Sequence, residues 1–265
     1  MTQCPVCNSD LGTAFSAQVL QKYEVAYRHC DQCGFVCTQK PYWLSEAYSD
    51  AIVVEDTGLM QRNFVMAARL ASVLYFLFDG RGRYVDIAGG YGVLVRLMRD
   101  LGLDFYWSDK YSENLMARGF EVEKTSGPFA AITAFEVLEH VEDPAAFIAE
   151  KLRTFDTRNF IFSTLLYEGA GPPPQDWWYY AFDAGQHISF YQERTLSTLA
   201  DRLGLHFCSA HRIHLFSEKP VNRALFTFLT SAVALPLALY VRQRLSSRTV
   251  ADQERVTAGR KKRNP

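Results

Sequence analysis

The sequence predicts an α/β protein built on a doubly wound, mostly parallel sheet, with a small cysteine-rich metal-binding module in front. Short β-branched and aromatic runs alternate with helical segments from about residue 83 to 215. Strand, helix, strand in repetition implies parallel strands joined by crossover helices on both faces. A glycine-rich turn, Ala88-Gly89-Gly90-Tyr91-Gly92, follows the first of these strands and opens a helix. Two Cys-x-x-Cys pairs lie within residues 1–40. The expected organisation is a zinc-binding module over 1–40, the α/β domain over 57–215, and an apolar segment with a basic tail over 220–265.

The totals leave room for this. Of 265 residues, 48% are hydrophobic and 22% charged, enough for a sizeable core. A formal net charge of −1 gives no general attraction to nucleic acid, so a small-molecule partner is expected. The opening MTQCPVCNSD lacks the basic-then-apolar pattern of an export signal, which predicts a reducing, cytoplasmic setting. Nothing here fixes the oligomeric state.

Cys4-Pro-Val-Cys7 and Cys30-Asp-Gln-Cys33 are separated by 22 residues. Each short turn can present two thiolates to one tetrahedral ion, so Cys4, Cys7, Cys30 and Cys33 are expected to bind structural Zn2+ in a zinc-ribbon-like unit. Two redox dithiols are the alternative, and the matched spacing argues against them. Residues 57–79 contain no proline and repeat apolar residues at helical spacing, with Gly80 and Gly82 as a stop.

RYVDIA reads as a strand, VLVRLMRDLG as a helix, DFYWSD and AAITAF as strands, DPAAFIAEKL as a helix and NFIFSTLLY as a strand. Then come a helix, ERTLSTLADRLG, and two strand-like runs, LHFCSAHR and HLFSEK. At the first strand-to-helix turn, Gly89, Gly90 and Gly92 let a ligand approach the backbone, and the helix start offers unpaired N–H groups. Asp109 ends the next strand, where a carboxylate can accept ribose hydroxyls. Asp86, just before the glycines, suits a ligand with a cationic amino group and would be ill placed beside a pyrophosphate. This favours S-adenosyl-L-methionine (SAM) over NAD, with a dinucleotide site as the alternative.

These segments resemble class I SAM-dependent methyltransferases. DIAGGYG is similar to their first motif, WSD to the acidic second, and ITAFEVLEHVEDPAAF to the strand-and-helix segment that follows in ubiquinone-biosynthesis-like and sugar C-methyltransferase-like branches. The resemblance spans about residues 57–215 and implies a Rossmann-like fold. It puts Asp86, Gly90 and Gly92 around the methionine part of the donor, Asp109 on the ribose and Phe135 nearby. Ala88 stands where the first glycine is usual, and one added methyl is expected to be tolerated. Cysteine-rich N-terminal modules also occur in the sugar C-methyltransferase relatives, which implies a sugar, nucleotide-sugar or glycan end as acceptor. A non-catalytic zinc-module protein on a degenerate core is the alternative of another class, and intact Asp86, glycines and Asp109 speak against it.

Methyl transfer needs alignment and, for a hydroxyl or acidic carbon, a base. His187, His140 and Glu139 are the candidates. His187 lies in GQHISFY after an aromatic loop, a position where similar methyltransferases carry histidine; Glu139 and His140 lie at a strand's C-terminal end, where such sheets bind ligands. In the quinone O-methylating relatives, Glu136, Glu139 and His140 match a divalent-cation site. The loop Asp176-Trp177-Trp178-Tyr179-Tyr180 with Phe182 reads as a lid or acceptor platform, or else as a plug closing the core. Ala224 to Val241 carries no charge and is flanked by Arg223, Arg242 and Arg244, which predicts peripheral membrane contact or, at the lower limit of length, a span, with packing against the protein or a partner as the alternative. That contact makes a quinone or lipid precursor the second acceptor. The closing GRKKRNP is expected to be disordered.

Overall fold

A computed structural model describes residues 2–48, 57–122 and 127–263, without the side chains of 260–263. In chain order its strands and helices are β1 (Gly12–Val19), β2 (Tyr23–His29), β3 (Val36–Thr38), α1 (Leu44–Ala47), α2 (Leu59–Leu77), β4 (Arg83–Ile87), α3 (Val93–Asp100), β5 (Asp104–Ser108) and β6 (Ala131–Ala134). There follow α4 (Pro144–Thr154), β7 (Phe160–Phe162), β8 (Ser189–Phe190), α5 (Glu193–Leu203), β9 (His206–Ala210), β10 (Ile213–Ser217), α6 (Arg223–Thr230), α7 (Ala234–Leu245) and α8 (Thr249–Arg263). Six strands form a mostly parallel sheet in the order β5-β4-β6-β7-β10-β9, in which β4 runs parallel to β5 and β6 while β10 is antiparallel to β7 and β9. The fold class is the expected α/β one.

The chain divides into two compact units that do not follow sequence order: residues 1–53, 135–153 and 160–220 form one, and 54–134, 154–159 and 221–265 the other. The second contains the glycine turn. Tyr84, Val85 and Ile87 of β4, Leu94, Val95 and Met98 of α3 and Leu70, Val73 and Leu74 of α2 are all buried in it. Helix α2 ends where the sequence placed its stop: Gly80, at φ +62°, donates its N–H to Leu74 O at 3.0 Å, closing the last turn. The tail differs from expectation. Helix α8 continues through Arg263, and Pro265 with Asn264 lies outside the described residues. Its Asp252 pairs with the buried guanidinium of Arg99 at 2.7 Å and with Arg96 at 2.9 Å, an anchor that composition alone does not reveal. Arg99 also reaches Asp104 and the Phe105 carbonyl, so its buried charge is fully engaged.

Among the described residues no single helix is long and apolar enough to cross a membrane; α6 and α7 qualify only together and are bent by 88°.

The first unit has its own antiparallel sheet, β1-β2-β3-β8. The hairpin between the two cysteine pairs supplies β1 and β2, and β8 comes from the GQHISFY segment far along the chain. This sheet covers a core of Val25, Tyr27, Val36, Trp43, Tyr167, Tyr179, Tyr180, Ile188 and Phe190. The aromatic loop is therefore mostly core. Tyr179 and Tyr180 are buried, Trp177 and Phe182 pack against the same cluster, and only Trp178, 69% exposed, could form a platform.

Candidate active site

In the second unit, β4 delivers Asp86 to the glycine turn. Its side chain is buried and accepts a 2.6 Å hydrogen bond from the Thr133 hydroxyl of β6. Burial pushes its pKa up to about 7, with the Thr133 bond opposing and the charge of Asp109 adding to the rise. The carboxyl is thus poised to exchange its proton near neutral pH.

Ala88 adopts φ +54°, so the turn needs a left-handed residue where glycine is usual; alanine accepts this at about 1 kcal/mol. Gly90 and Gly92 are left-handed too. A Cβ on Gly92 would stand 2.6 Å from Asn114 Oδ1, whereas one on Gly90 would meet nothing within 4 Å, leaving its outer side open to a ligand. Gly89 is hemmed in by Trp107, whose indole N–H donates to Gly90 O at 2.8 Å.

Asp109 is tied to this turn. Its Oδ2 accepts from Gly90 N at 2.9 Å, and its Oδ1 from Tyr111 N and Ser112 N at 2.7 and 2.9 Å. Three of about four lone-pair sites are used, so one ribose hydroxyl can bind without rearrangement. Neither Thr133 nor Trp107 stands out in the sequence, where both look like ordinary strand residues.

In the first unit, Phe135 is half-buried just after β6, and the chain then makes a short helical turn, Leu138–His140. The segment 186–191 is fastened to that turn. Ile188 N–H donates to Glu139 O at 2.8 Å, Ser189 Oγ to Val141 O at 2.6 Å, Tyr191 Oη to Leu138 O at 2.7 Å, and the His140 ring meets Gln186 O at 3.0 Å. His187, His140 and Glu139 are thereby brought together, each offering a ligand atom within 4.8 Å of the others.

A carbonyl can only accept, so His140 Nδ1 is the protonated nitrogen; His187 Nδ1, 2.7 Å from Tyr179 O, is protonated likewise. Burial lowers both pKa values, that of His140 to about 3 with His187 adding to the effect. Both rings stay neutral with a bare Nε2. Glu139 is completely buried, and neither carboxylate oxygen has a hydrogen-bond partner among the described residues. Burial, then the charge of Glu136, push its pKa up to about 8, while the nearby Tyr179 and Thr164 hydroxyls ease it without making well-formed bonds. Glu136, by contrast, is exposed and engaged: Ser163 Oγ donates to its carboxylate. The structure therefore groups Glu139 and His140 with His187 rather than with Glu136.

The four cysteines also meet. Cys4 and Cys33 sulfurs are 3.6 Å apart, those of Cys7 and Cys30 3.4 Å, and none is in a disulfide. Thiolates on a tetrahedral zinc ion, with bonds of about 2.3 Å, stand about 3.8 Å apart. Asn8 and Gly34, the residues after each pair, share left-handed backbone at φ +63° and +72°. The Cys33 thiol hydrogen bond holds the Cys4 pKa down to about 5, favouring a thiolate. Both turns dock on α5: Thr195 Oγ1 donates to Cys33 O, and Arg202 to Pro5 O and Val6 O.

The family model of a methyltransferase domain matches residues 61–209. No curated protein matches the chain. Among solved structures, an O-methyltransferase family 2 protein from Planctomyces limnophilus, in complex with apigenin, is 18% identical over 65% of this chain at a TM-score of 0.44; the chain spans 64% of it, less than two thirds of its length. Magnesium protoporphyrin IX methyltransferase from Synechocystis with bound SAM is 15% identical, covering 66% of this chain and 89% of that one, at 0.43. Human N-acetylserotonin methyltransferase in complex with SAM is 13% identical, covering 67% and 66%, at 0.44.

Proposed function

The chain belongs to the methyltransferase-domain family, and on that premise we propose that it is a class I SAM-dependent enzyme that methylates oxygen or carbon of a small polar acceptor. The reading rests most on the buried Asp86 carboxylate beside the glycine turn, a counter-charge for the donor's ammonium group. Gly89, Gly90 and Gly92 admit the donor, Asp109 takes a ribose hydroxyl, and Phe135 packs near it. His187, with His140 and Glu139, activates the acceptor. Cys4, Cys7, Cys30 and Cys33 hold a structural zinc ion that steadies the sheet carrying β8. A sugar, nucleotide-sugar or glycan end is the acceptor we favour, in the cytoplasm. Incubation with cell metabolites and methyl-labelled SAM tests this: label in a sugar-containing product supports it, and absence of any labelled product would remove it.

Asp109→Ala should weaken affinity for S-adenosylhomocysteine by about 1–3 kcal/mol, the cost of removing hydrogen bonds made to a charged group. Calorimetry showing no change would refute the ribose role. Affinity should also depend on pH. Because burial raises the Asp86 pKa to about 7, ammonium binding must expel a proton below this pH. Affinity should be level above pH 7 and fall by up to about tenfold per pH unit beneath it. Asp86→Asn should bind weakly at every pH; a wild-type affinity that is level from pH 5 to 8 would contradict the ion pair.

A second acceptor, a quinone or lipid precursor met at a membrane, is favoured by one observation. Leu225, Phe228, Leu235, Leu239 and Tyr240 of α6 and α7 are exposed, beside Arg242 and Arg244. Co-sedimentation with phosphatidylserine vesicles, diminished by salt and absent with phosphatidylcholine, is the expected result; recovery in the supernatant with both would exclude membrane contact.

A further inference from the structure

Gly90 is held from both flanks by side chains at the end of β5. Its N–H donates to Asp109 Oδ2 at 2.9 Å, and its carbonyl accepts from the Trp107 indole N–H at 2.8 Å. Trp107 lies in β5 and Asp109 directly follows that strand, so the two side chains, two positions apart, leave the extended chain on the same side. Trp107 is itself anchored. Its backbone N–H donates to Phe120 O at 2.8 Å, its backbone carbonyl accepts from Val122 N at 2.9 Å, and it stands opposite Asp86 in the register of β4 and β5. The turn needs such a hold. Ala88 and Gly90 are left-handed at φ +54° and +52°, the first at an energetic cost and the second with no Cβ to restrict it. A Cβ on Gly89 would stand 2.9 Å from Trp107 Cδ1 and 3.1 Å from Asp86 Oδ2, so the indole and the buried carboxyl border one narrow space.

We infer that Trp107 is a positioning residue of the donor site: its indole N–H and the Asp109 carboxylate clamp Gly90, so that the turn is set before the donor arrives. The inference rests on the donor-binding reading of this turn. A Cβ on Gly90 would meet nothing within 4 Å, so the clamp takes the N–H and the carbonyl and leaves the outer side of Gly90 clear. Fixing a binding loop in its bound shape raises affinity, because less ordering remains for the ligand to impose. The residue type matters. Tryptophan offers one donor on a rigid bicyclic frame, whereas phenylalanine fills much of the same space with no donor at all. Trp107 acts on the donor through Gly90, and losing its N–H should weaken binding without removing any group proposed to touch the donor.

Calorimetry with S-adenosylhomocysteine tests this on the full-length chain as wild type, as Trp107→Phe, and with β-(3-benzothienyl)alanine in place of Trp107. The last keeps the bicyclic outline and puts sulfur where the indole N–H was, so it decides the matter even if Trp107→Phe fails to fold. Both replacements should weaken binding by about 3- to 10-fold, the loss expected of one neutral hydrogen bond. A bond that merely stabilises the fold would lower the unfolding midpoint and leave the affinity of the folded protein unchanged, and that result would overturn the inference. So would full affinity in the benzothienyl chain beside weakened Trp107→Phe, because ring volume and not the N–H would then be what matters. Fluorescence supplies a second reading. The other three tryptophans, Trp43, Trp177 and Trp178, belong to the first compact unit. Saturating S-adenosylhomocysteine should alter the emission of wild type, and Trp107→Phe should lose that change; a change that persists undiminished in Trp107→Phe would count against the inference. Failure of wild type to bind at all would instead remove the donor-binding reading beneath it.

Discussion

Replacing His187 with alanine is expected to lower turnover about 10²–10⁴-fold while affinity for S-adenosylhomocysteine stays within about twofold. The asymmetry follows from where the groups sit. His187 belongs to the first compact unit, with Glu139 and His140, whereas Asp86, the glycine turn and Asp109 belong to the second. Its Nδ1–H is committed to Tyr179 O, so the side chain contributes through Nε2 alone. Removing that lone pair would take away the proposed acceptor-activating group and leave the proposed donor contacts in place. The loss should appear in kcat, read in single-turnover experiments with saturating donor. A decrease below about threefold would return His187 to a structural role, that of fastening the aromatic loop.

Cys4→Ser should have the second-largest effect, and at a distance from the chemistry. A four-thiolate zinc site contributes on the order of 10 kcal/mol of binding free energy that is felt as folding free energy. Loss of one ligand should release the ion and loosen the turns that dock on Thr195 and Arg202. The same sheet that the hairpin begins is completed by β8, which starts two residues after His187. Turnover should therefore collapse along with metal content, although Cys4 touches no reacting atom, and the unfolding midpoint in urea should drop. Retained zinc, or full activity without it, would show that the module is independent of the catalytic groups.

The proposed donor-binding and acceptor-activating groups differed in how far the sequence revealed them. The donor side is local: strand, turn and helix lie within residues 83–100, and Asp109 follows one strand later, so spacing alone exposes it. Helix α5 was equally legible, because Gln192 and Thr195 form a capping box and Gly204 closes the other end. The acceptor side depends on pairing across more than forty residues. No local pattern announces that GQHISFY will add β8 to an N-terminal hairpin, since a two-residue strand has too little periodicity to read. Nor could composition separate the plug from the lid in the aromatic loop: Tyr179 and Trp178 are adjacent, yet the first is buried and the second exposed. Ser163 was invisible for a similar reason. Its hydroxyl donates to the Glu136 carboxylate, a bond across 27 residues that no local pattern announces.

Isothermal titration of the wild-type chain with S-adenosylhomocysteine and, separately, with NAD tests the donor site most directly. One molecule of the former should bind per chain, with proton release below pH 7, and NAD should give no heat of binding. Binding of NAD, or silence with both ligands, would contradict an Asp86-centred site built for a ligand with an ammonium group and no phosphate.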